Sequence, residues 1–387
     1  MEPIYLDHNA TTPLLPAVRA AMLPYCDDAF GNPASAHAAG RRARRALEDA
    51  REQLAALLDA GPDEVLFTSG ATESNNLALF GLSGEPAGAI LASPLEHPSV
   101  AEPLRRLAEM GSAVEYLPVG PTGLLAAADL RERLRPDVRL LVLQLANHET
   151  GIVQPLADLI GQARQRPEFE DRLAIHTDAT QAVGKLPVRF RELGVTTLSC
   201  SAHKFHGPKG IGLLLVRRGT KVRPLLYGGH QQQGRRPGTE PVALAVGMAA
   251  ALDLAHRELT TRRERVRELR HRFLALLEQQ AAPVVLNGPA EGEPGFRLPH
   301  TLNLSFPGCR ADALLMNLDL VGIACSTGSA CSSGSLLPSP VLQAMGVPPE
   351  RFSSAMRFSL SYLLTEAQIE EAARRIATVV RRLRLCG

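Results

Sequence analysis

The chain lacks the cysteine spacing, the charge excess and the long apolar run that would each point to a specialised class. Its six cysteines, at 26, 200, 309, 325, 331 and 386, contain no Cys-x-x-Cys pair, and six in 387 residues is sparse for a disulfide scaffold. That argues against a small secreted framework and for a reducing compartment. Charge of one sign is missing too: 42 basic residues stand against 40 acidic ones, a formal net charge of +2. Such a balance offers little to a polyanion, so neither nucleic acid nor a membrane surface is expected as a partner. The Arg-rich runs at 41–45 and 381–384 have helix-like spacing with acidic or apolar neighbours and read as solvated helix faces. No apolar run reaches the roughly 20 residues of a membrane span. The most apolar stretch, Val242 to Ala255, is interrupted by Asp253 and reads as a buried helix. The N-terminus turns from Met-Glu-Pro directly into strand-like Ile4-Tyr5-Leu6, without the basic and apolar regions of a signal peptide. Internal repeats and low-complexity tracts are not found either. The expectation is a soluble cytoplasmic protein.

A hydrophobic content of 45% is ample for a sizeable core. A prior of roughly 100–200 residues per domain allows two or three domains, or a large α/β domain with a smaller partner. Between about 60 and 220, short apolar runs alternate with helix-length segments: Val65–Thr68, Ala89–Ala92, Val114–Leu117, Leu140–Leu143, Leu173–His176, Thr197–Ser199 and Ile211–Val216. Continuous apolar runs separated in this way predict a mainly parallel sheet covered by helices on both faces. A charged amphipathic helix over Leu259 to Gln280 is expected to link two domains. Pro283 and the segment Gly288 to Pro299 break the chain into loop, Thr301 to Phe306 reads as a strand, and the chain ends in an amphipathic helix.

Five stretches carry candidate chemistry. Cys200-Ser201-Ala202-His203-Lys204-Phe205-His206-Gly207 lies between two of the expected strands. A lysine at the mouth of a core sheet is costly to bury as a charge, and in a dry pocket its lowered pKa lets the amine condense with an aldehyde; a surface loop is the plainer alternative. His176-Thr177-Asp178-Ala179-Thr180-Gln181 ends another strand. Its Asp178 could pair with a protonated pyridine nitrogen or merely cap the next helix. Phe67-Thr68-Ser69-Gly70-Ala71-Thr72-Glu73-Ser74-Asn75 passes from strand through small residues to a helix start. Its backbone N–H groups could bind phosphate, or the stretch could be an ordinary capping box. Leu95-Glu96-His97-Pro98-Ser99 places a histidine after a strand end, where it could stack on a flat ring and move protons, or be a plain polar residue. Ala324-Cys325-Ser326-Thr327-Gly328-Ser329-Ala330-Cys331-Ser332-Ser333-Gly334-Ser335 is too rich in Ser and Gly to pack a core and reads as a mobile loop. A thiol there, Cys331, is either incidental or reactive.

Taken together, these motifs resemble the cysteine desulfurases, which have the aspartate-aminotransferase fold type of pyridoxal 5′-phosphate (PLP) enzymes. The similarity runs nearly end to end, from Tyr5-Leu6-Asp7-His8-Asn9-Ala10-Thr11-Thr12-Pro13 and Phe30–Ser35 through Ala146-Asn147-His148-Glu149-Thr150-Gly151. It continues in Gly228-Gly229-His230-Gln231, Arg236-Pro237-Gly238-Thr239, Gly328-Ser329-Ala330-Cys331 and Arg357-Phe358-Ser359-Leu360. The resemblance implies an α/β protein of PLP fold type I. A large domain with a mainly parallel seven-stranded sheet, residues 13–258, would join a smaller α+β C-terminal domain formed by 1–12 and 259–387 and carrying the Cys331 loop.

It also implies roles. Lys204 would hold PLP through its amine and later move the substrate proton. Asp178 would pair with the pyridine nitrogen. Gln181 and Asn147 would bond near the ring hydroxyl, with Asn147 also near substrate. His97 would stack on the ring and act in acid–base chemistry. Ala71, Thr72, Ser201 and His203 would cradle the phosphate, and Thr239 would reach the phosphate of the other subunit of a homodimer. Arg357 would clamp the substrate carboxylate bidentately. Cys331 would attack the sulfur of bound L-cysteine, leaving alanine and a persulfide. A sulfur acceptor, such as an iron–sulfur scaffold, would then collect the sulfur by thiol exchange. No intrinsic metal is implied, although Cys331 could transiently ligate a cluster. Undeleted Cys331–Ser339 resembles the long-loop branch of the family. Three departures stand out: Ser361-Tyr362 where relatives usually have Gly and then a basic or polar residue, His148 where many have a second Asn, and the extra Cys325. The rival readings are a selenocysteine lyase or cysteine-sulfinate desulfinase on the same fold, a non-catalytic scaffold, and a thiol hydrolase using Cys331 and His97. The hydrolase leaves Lys204 and Asp178 unexplained.

Overall fold

Most of the continuous apolar runs are strands in the structure, a computed structural model that describes residues 2–83, 88–166, 169, 172–289, 296–327 and 338–386. In chain order the strands are β1 (Ile4–Tyr5), β2 (Val65–Thr68), β3 (Ala89–Ala92), β4 (Val114–Tyr116), β5 (Val138–Val142) and β6 (Ala174–Asp178). They continue with β7 (Thr197–Ser201), β8 (Gly212–Val216), β9 (Val285–Leu286), β10 (Thr301–Ser305), β11 (Ile323–Ala324) and β12 (Ala355–Ser359). A seven-stranded sheet has the order β2-β8-β7-β6-β5-β3-β4. The pairings among β4, β3, β5, β6 and β7 are parallel, and β8 runs antiparallel to both β2 and β7. Every residue of β2, β3, β7 and β8 is buried. Helices cover both faces of this sheet, which is why its strands read as unbroken apolar runs and not as alternation.

On one face Leu141, Ile175, Leu198 and Leu213 share a core with Ala245, Met248 and Leu252 of the helix Val242–Arg257. On the other, Ile90, Leu140 and Val142 pack with Leu79, Val100 and Leu104 from the helices Ala71–Leu82 and Pro98–Glu109. The parallel strands β3, β6 and β7 deliver their C-terminal ends to one edge of the sheet, the edge at which open α/β sheets bind ligands.

A second core lies around β10, which is antiparallel to β12 and β9, and around the short parallel pair β1–β11. Ile4 and Leu6 pack there with Phe273, Phe306, Phe358 and Ile376, and Phe358 meets Phe273 edge to face at 5.5 Å. The helices Leu259–Gln280 and Glu366–Cys386 flank it. The expected linking helix is therefore present over the expected residues. β9 and β11, two residues each, are too short to show a period in sequence. No helix of the described residues is long and apolar enough to cross a membrane.

Candidate active site

Asp178, the last residue of β6, occupies the C-terminal edge of the large sheet with a carboxylate held from two sides. Its Oδ1 accepts from the Thr180 N–H at 2.8 Å, and its Oδ2 accepts from Asn75 Nδ2 at 2.9 Å. The first bond closes a turn and caps no helix, since the next helix starts only at Phe190. It does not exclude a ligand role, because the carboxylate also faces a cavity of about 490 Å³. That volume is in the usual range for a small-molecule site. The wall includes Ala71, Thr72, His97, Asp178, Gln181, Ser201, His203 and Lys204, so eight residues singled out in sequence come together.

Asn75, quoted in a sequence motif without a role of its own, organises this wall. Its Nδ2 also donates to Ser99 Oγ at 2.8 Å. Its Oδ1 accepts from Ser199 Oγ and from His176 Nε2, the latter at 3.1 Å. The accepting amide oxygen places the His176 proton on Nε2. Burial pushes the pKa of His176 down to about 4, so the ring is neutral. Asn75 is itself fully buried. Truncating it leaves the Asp178 carboxylate and the Ser199 hydroxyl short of partners, each worth about 1–3 kcal/mol when desolvated. Asn75→Ala should lower unfolding free energy by about 2–4 kcal/mol in urea titrations, whereas an unchanged midpoint would show that the network is slack.

His97 caps the helix Pro98–Glu109: its Nδ1 accepts from the Ser99 N–H at 3.1 Å and lies 2.8 Å from Ser99 Oγ. With Nδ1 as acceptor, a neutral ring carries its proton on Nε2. Burial lowers its pKa, Asp178 opposes that shift, and the charges of Lys204 and Arg357 add to it.

Lys204 follows β7. Its Nζ donates to the carbonyls of Asn9 at 2.6 Å and Ala10 at 2.8 Å. These two bonds fix the amine beside the cavity, within the wall where an aldehyde could condense with it. Gln181 bonds the same segment, Nε2 to the Asn9 carbonyl at 3.1 Å, and its Oε1 accepts from Lys185 Nζ at 2.8 Å. Lys185 was not singled out in sequence. Burial first, then the charges of Lys204 and Arg357, take its pKa well below the ordinary lysine value.

The cavity wall also takes in the first turn of the helix Ala71–Leu82, together with Ser201 and His203. First-turn amides have no intrahelical acceptor and suit an anion. β8 can pass directly behind this turn because residue 212 is glycine: a Cβ there would sit 2.7 Å from the Gly70 Cα. The expected capping box is not formed, since the N-cap is Gly70 and no side chain caps the helix; Glu73 instead accepts from the Ser69 N–H at 2.7 Å and pairs with Arg236 at 2.8 Å. His203 is pushed down to about 4, by burial first and then by Lys204, so it offers a neutral ring.

Other expected residues stand apart from this wall. Asn147 is fully buried and does not line the cavity. Its Oδ1 accepts from the N–H of Glu149, the N–H of Thr150 and the Thr150 hydroxyl, and its Nδ2 donates to the Leu95 carbonyl at 3.0 Å. That amide staples the loop after β5, and its neighbour His148 is the residue on the wall. Arg357, in β12, is 2% exposed; its Nη2 pairs with Asp7 at 2.6 Å and its Nη1 donates to the His148 carbonyl at 3.2 Å, while Nε has no partner. Thr239 is exposed and away from the wall. Cys331 lies outside the described residues. The nearer flanks of its stretch are tied to the site: the Arg357 N–H donates to the Ser326 carbonyl at 2.6 Å, and Ser339 Oγ donates to Glu149 at 2.5 Å. Cys325 is partly buried, and burial followed by the Asp7 charge raises its thiol pKa. Among the described residues, no group of three or more His, Cys, Asp or Glu side chains is placed to hold a metal ion.

Residues 4–371 match the family model described as aminotransferase class-V. A cysteine desulfurase, IscS, of Dictyoglomus turgidum is 42% identical over 98% of this chain and 95% of its own length. The chain belongs to the cysteine desulfurases of the class-V aminotransferase family. Solved structures of this family share the architecture. A NifS-like protein superimposes with a TM-score of 0.90 at 33% identity, covering 98% of this chain and all of that one. A structure titled SspA in complex with cysteine gives 0.79 at 33% identity, covering 92% of this chain and 98% of that one. Cysteine desulfurase membership accounts for the order in which strand ends, lysine and carboxylate occur. The fold is accordingly PLP fold type I, with the mainly parallel seven-stranded sheet described above.

Proposed function

We propose that this cysteine desulfurase takes sulfur from L-cysteine, leaving L-alanine, with PLP resident in the Lys204 cavity. The observation that carries the reading is the convergence on one 490 Å³ cavity of an amine, a carboxylate held by N–H donors, an imidazole and a helix N-terminus. These fit a flat, phosphorylated aldehyde. A buried hydroxyl on the same wall, Thr180 Oγ1, has no partner among the described residues and would be available to such a group. Bound there, PLP supplies an electron sink for the pair released at the substrate Cα.

Lys204 would bind the aldehyde carbon through its amine and then take the Cα proton, with the Asn9 and Ala10 carbonyls positioning the amine. Asp178 would face the pyridine nitrogen, with Asn75 and the Thr180 amide keeping the carboxylate in place. Gln181 would lie near the ring hydroxyl. Ala71, Thr72, Ser201 and neutral His203 would bind the phosphate. His97, fixed at Nδ1 by Ser99, presents Nε2 as its proton-carrying atom. Arg357 is the carboxylate clamp; its unpartnered Nε leaves one donor for substrate beside the Asp7 pair. Cys331 is the sulfur acceptor: its thiolate attacks the substrate sulfur, the C–S bond breaks, an S–S bond forms, and the carbon takes a proton. The sum is L-cysteine plus thiol giving L-alanine plus persulfide, and no outside oxidant is needed. The ties of Ser326 to Arg357 and of Ser339 to Glu149, on either side of the Cys331 stretch, support that role.

The two separate cores support a large domain of 13–258 and a small one of 1–12 and 259–387. The exposed run Leu225, Leu226 and Tyr227, which is 39%, 52% and 88% exposed, precedes the Thr239 segment and supports a homodimer in which Thr239 reaches the other subunit's phosphate. The persulfide would pass to a thiol on an iron–sulfur scaffold or another thio-cofactor pathway in the cytoplasm.

The test is addition of L-cysteine to purified protein under a thiol reductant, following the visible spectrum, alanine and sulfide together. Equal amounts of alanine and sulfide with a spectral change support the proposal. A coloured protein inert to cysteine but active on selenocysteine or cysteine sulfinate would replace the substrate. A protein that stays colourless after PLP is added would overturn the reading of Lys204.

A further inference from the structure

His148 is a titratable residue of the cavity wall that the proposed chemistry leaves unused. It is 5% exposed, and its ring stands edge to face with His97, centroids 4.8 Å apart and planes at 77°. Its Nε2 lies 3.6 Å from Glu149 Oε1. Its Nδ1 is buried and has no hydrogen-bond partner among the described residues. The backbone beneath it is fixed, because the His148 carbonyl accepts from Asn9 Nδ2 at 3.1 Å and from Arg357 Nη1 at 3.2 Å. Glu149 is 2% exposed, and its second oxygen accepts from Ser339 Oγ, which also caps the helix Pro340–Ala344. A continuous buried chain thus runs from His97 through His148 and Glu149 to a helix N-terminus. His97 is held at Nδ1 by Ser99, but a bond at one atom leaves the ring free to tilt about it; the face of His148 removes that freedom.

We propose that His148 and Glu149 form a positioning pair for His97, holding the plane of its imidazole. The proposal deepens the desulfurase reading and rests on His97 acting in that reaction. The charged and titratable groups facing the pair are His97, Lys204 and Arg357, with Asp178 beyond His97. Burial drives His148 well below the ordinary histidine value, and the charges of His97, Arg357 and Lys204 push the same way. Burial raises Glu149 to about 7, against the lowering effects of Ser339 and Arg357. Below that pH the carboxyl is protonated and the pair neutral. Above it, a carboxylate forms next to His148 and one ring away from His97, favouring protonated imidazole there.

The experiment uses holoenzyme labelled with ¹³C-histidine, in wild type, His148→Asn and Glu149→Gln, with the His97 resonance assigned from its loss in His97→Asn. In wild type the resonance should be displaced by the ring current of His148 and show a step at about pH 7 as Glu149 ionises. Glu149→Gln should abolish the step. His148→Asn should remove the ring-current displacement and lower kcat about tenfold or more, with the KM for L-cysteine little changed. A retained step in Glu149→Gln, or an unmoved resonance in His148→Asn, would overturn the proposal. The same samples are assayed for alanine: a wild type that makes none contradicts the desulfurase reading, while the resonance still decides whether the pair positions His97. Loss of all dispersed histidine signals in one variant would mark it as unfolded and pass the decision to the other.

Discussion

Lys204→Ala should form alanine from L-cysteine at least about 10³-fold more slowly than wild type, because one change removes both the covalent attachment and the proton carrier. The visible absorption should shift from that of the lysine-bound cofactor to that of the free aldehyde. The structure supplies the reason for so large an effect. The amine is held by two carbonyls at 2.6 and 2.8 Å, whereas the other lysine of the wall, Lys209, is exposed. Lys185, the nearby buried lysine, is bonded to the wall residue Gln181 and does not itself line the cavity. A variant that kept its rate would make Lys204 a structural tie between the strand end and the N-terminal segment. Added alkylamine is a second readout: partial rescue of Lys204→Ala would show that a missing base, and not a distorted cavity, causes the loss.

Cys331→Ala should reduce sulfide release to less than about a hundredth of wild type while leaving the cofactor absorption intact. The comparison with Cys325 sharpens this. Burial and the Asp7 charge raise the Cys325 thiol pKa, which leaves little thiolate to act as a nucleophile. Cys325→Ala should therefore retain most of the activity. A reversal, with Cys325 essential and Cys331 dispensable, would move the persulfide to the residue beside β11. Loss of the chromophore in Cys331→Ala would instead give Cys331 a structural part. Mass spectrometry after cysteine addition, reading one added sulfur atom on the peptide containing Cys331, separates these outcomes.

Much of this site is legible in the chain. Asp178, Lys204 and the Gly70–Thr72 turn each follow a run of apolar residues, and in an open parallel sheet such runs end on one edge. Of the two readings of Asp178 and of the Ser69–Glu73 turn, helix capping is not realised at either: no helix follows Asp178 directly, the next starting at Phe190, and the helix Ala71–Leu82 has Gly70 as its N-cap with no side-chain cap. The first turn of the helix Ala71–Leu82 can thus offer its amides to an anion. Asn75, Lys185 and Glu149 were not legible as site residues, since nothing local distinguishes a polar residue on a buried helix face or loop from one on a surface. Asn147 shows the converse: its motif suggested a ligand contact, whereas its side chain is taken up by the turn it begins.

The sequence by itself determined the family, the apolar runs that become the large sheet, and the residues whose chemistry suits an amine, a carboxylate and a thiol in one reaction. Those properties are local, written in residue type, spacing and period. Only the tertiary structure decided which of those groups meet. Asn75 joins Ser99, His176, Asp178 and Ser199, the last 124 positions away, because β6 and β7 are neighbours and the helix Ala71–Leu82 lies against them. His148 faces His97 because β3 and β5 are adjacent although a strand lies between them in the chain. Strand order is set by how the whole set of apolar faces is buried at once, and no local period encodes it.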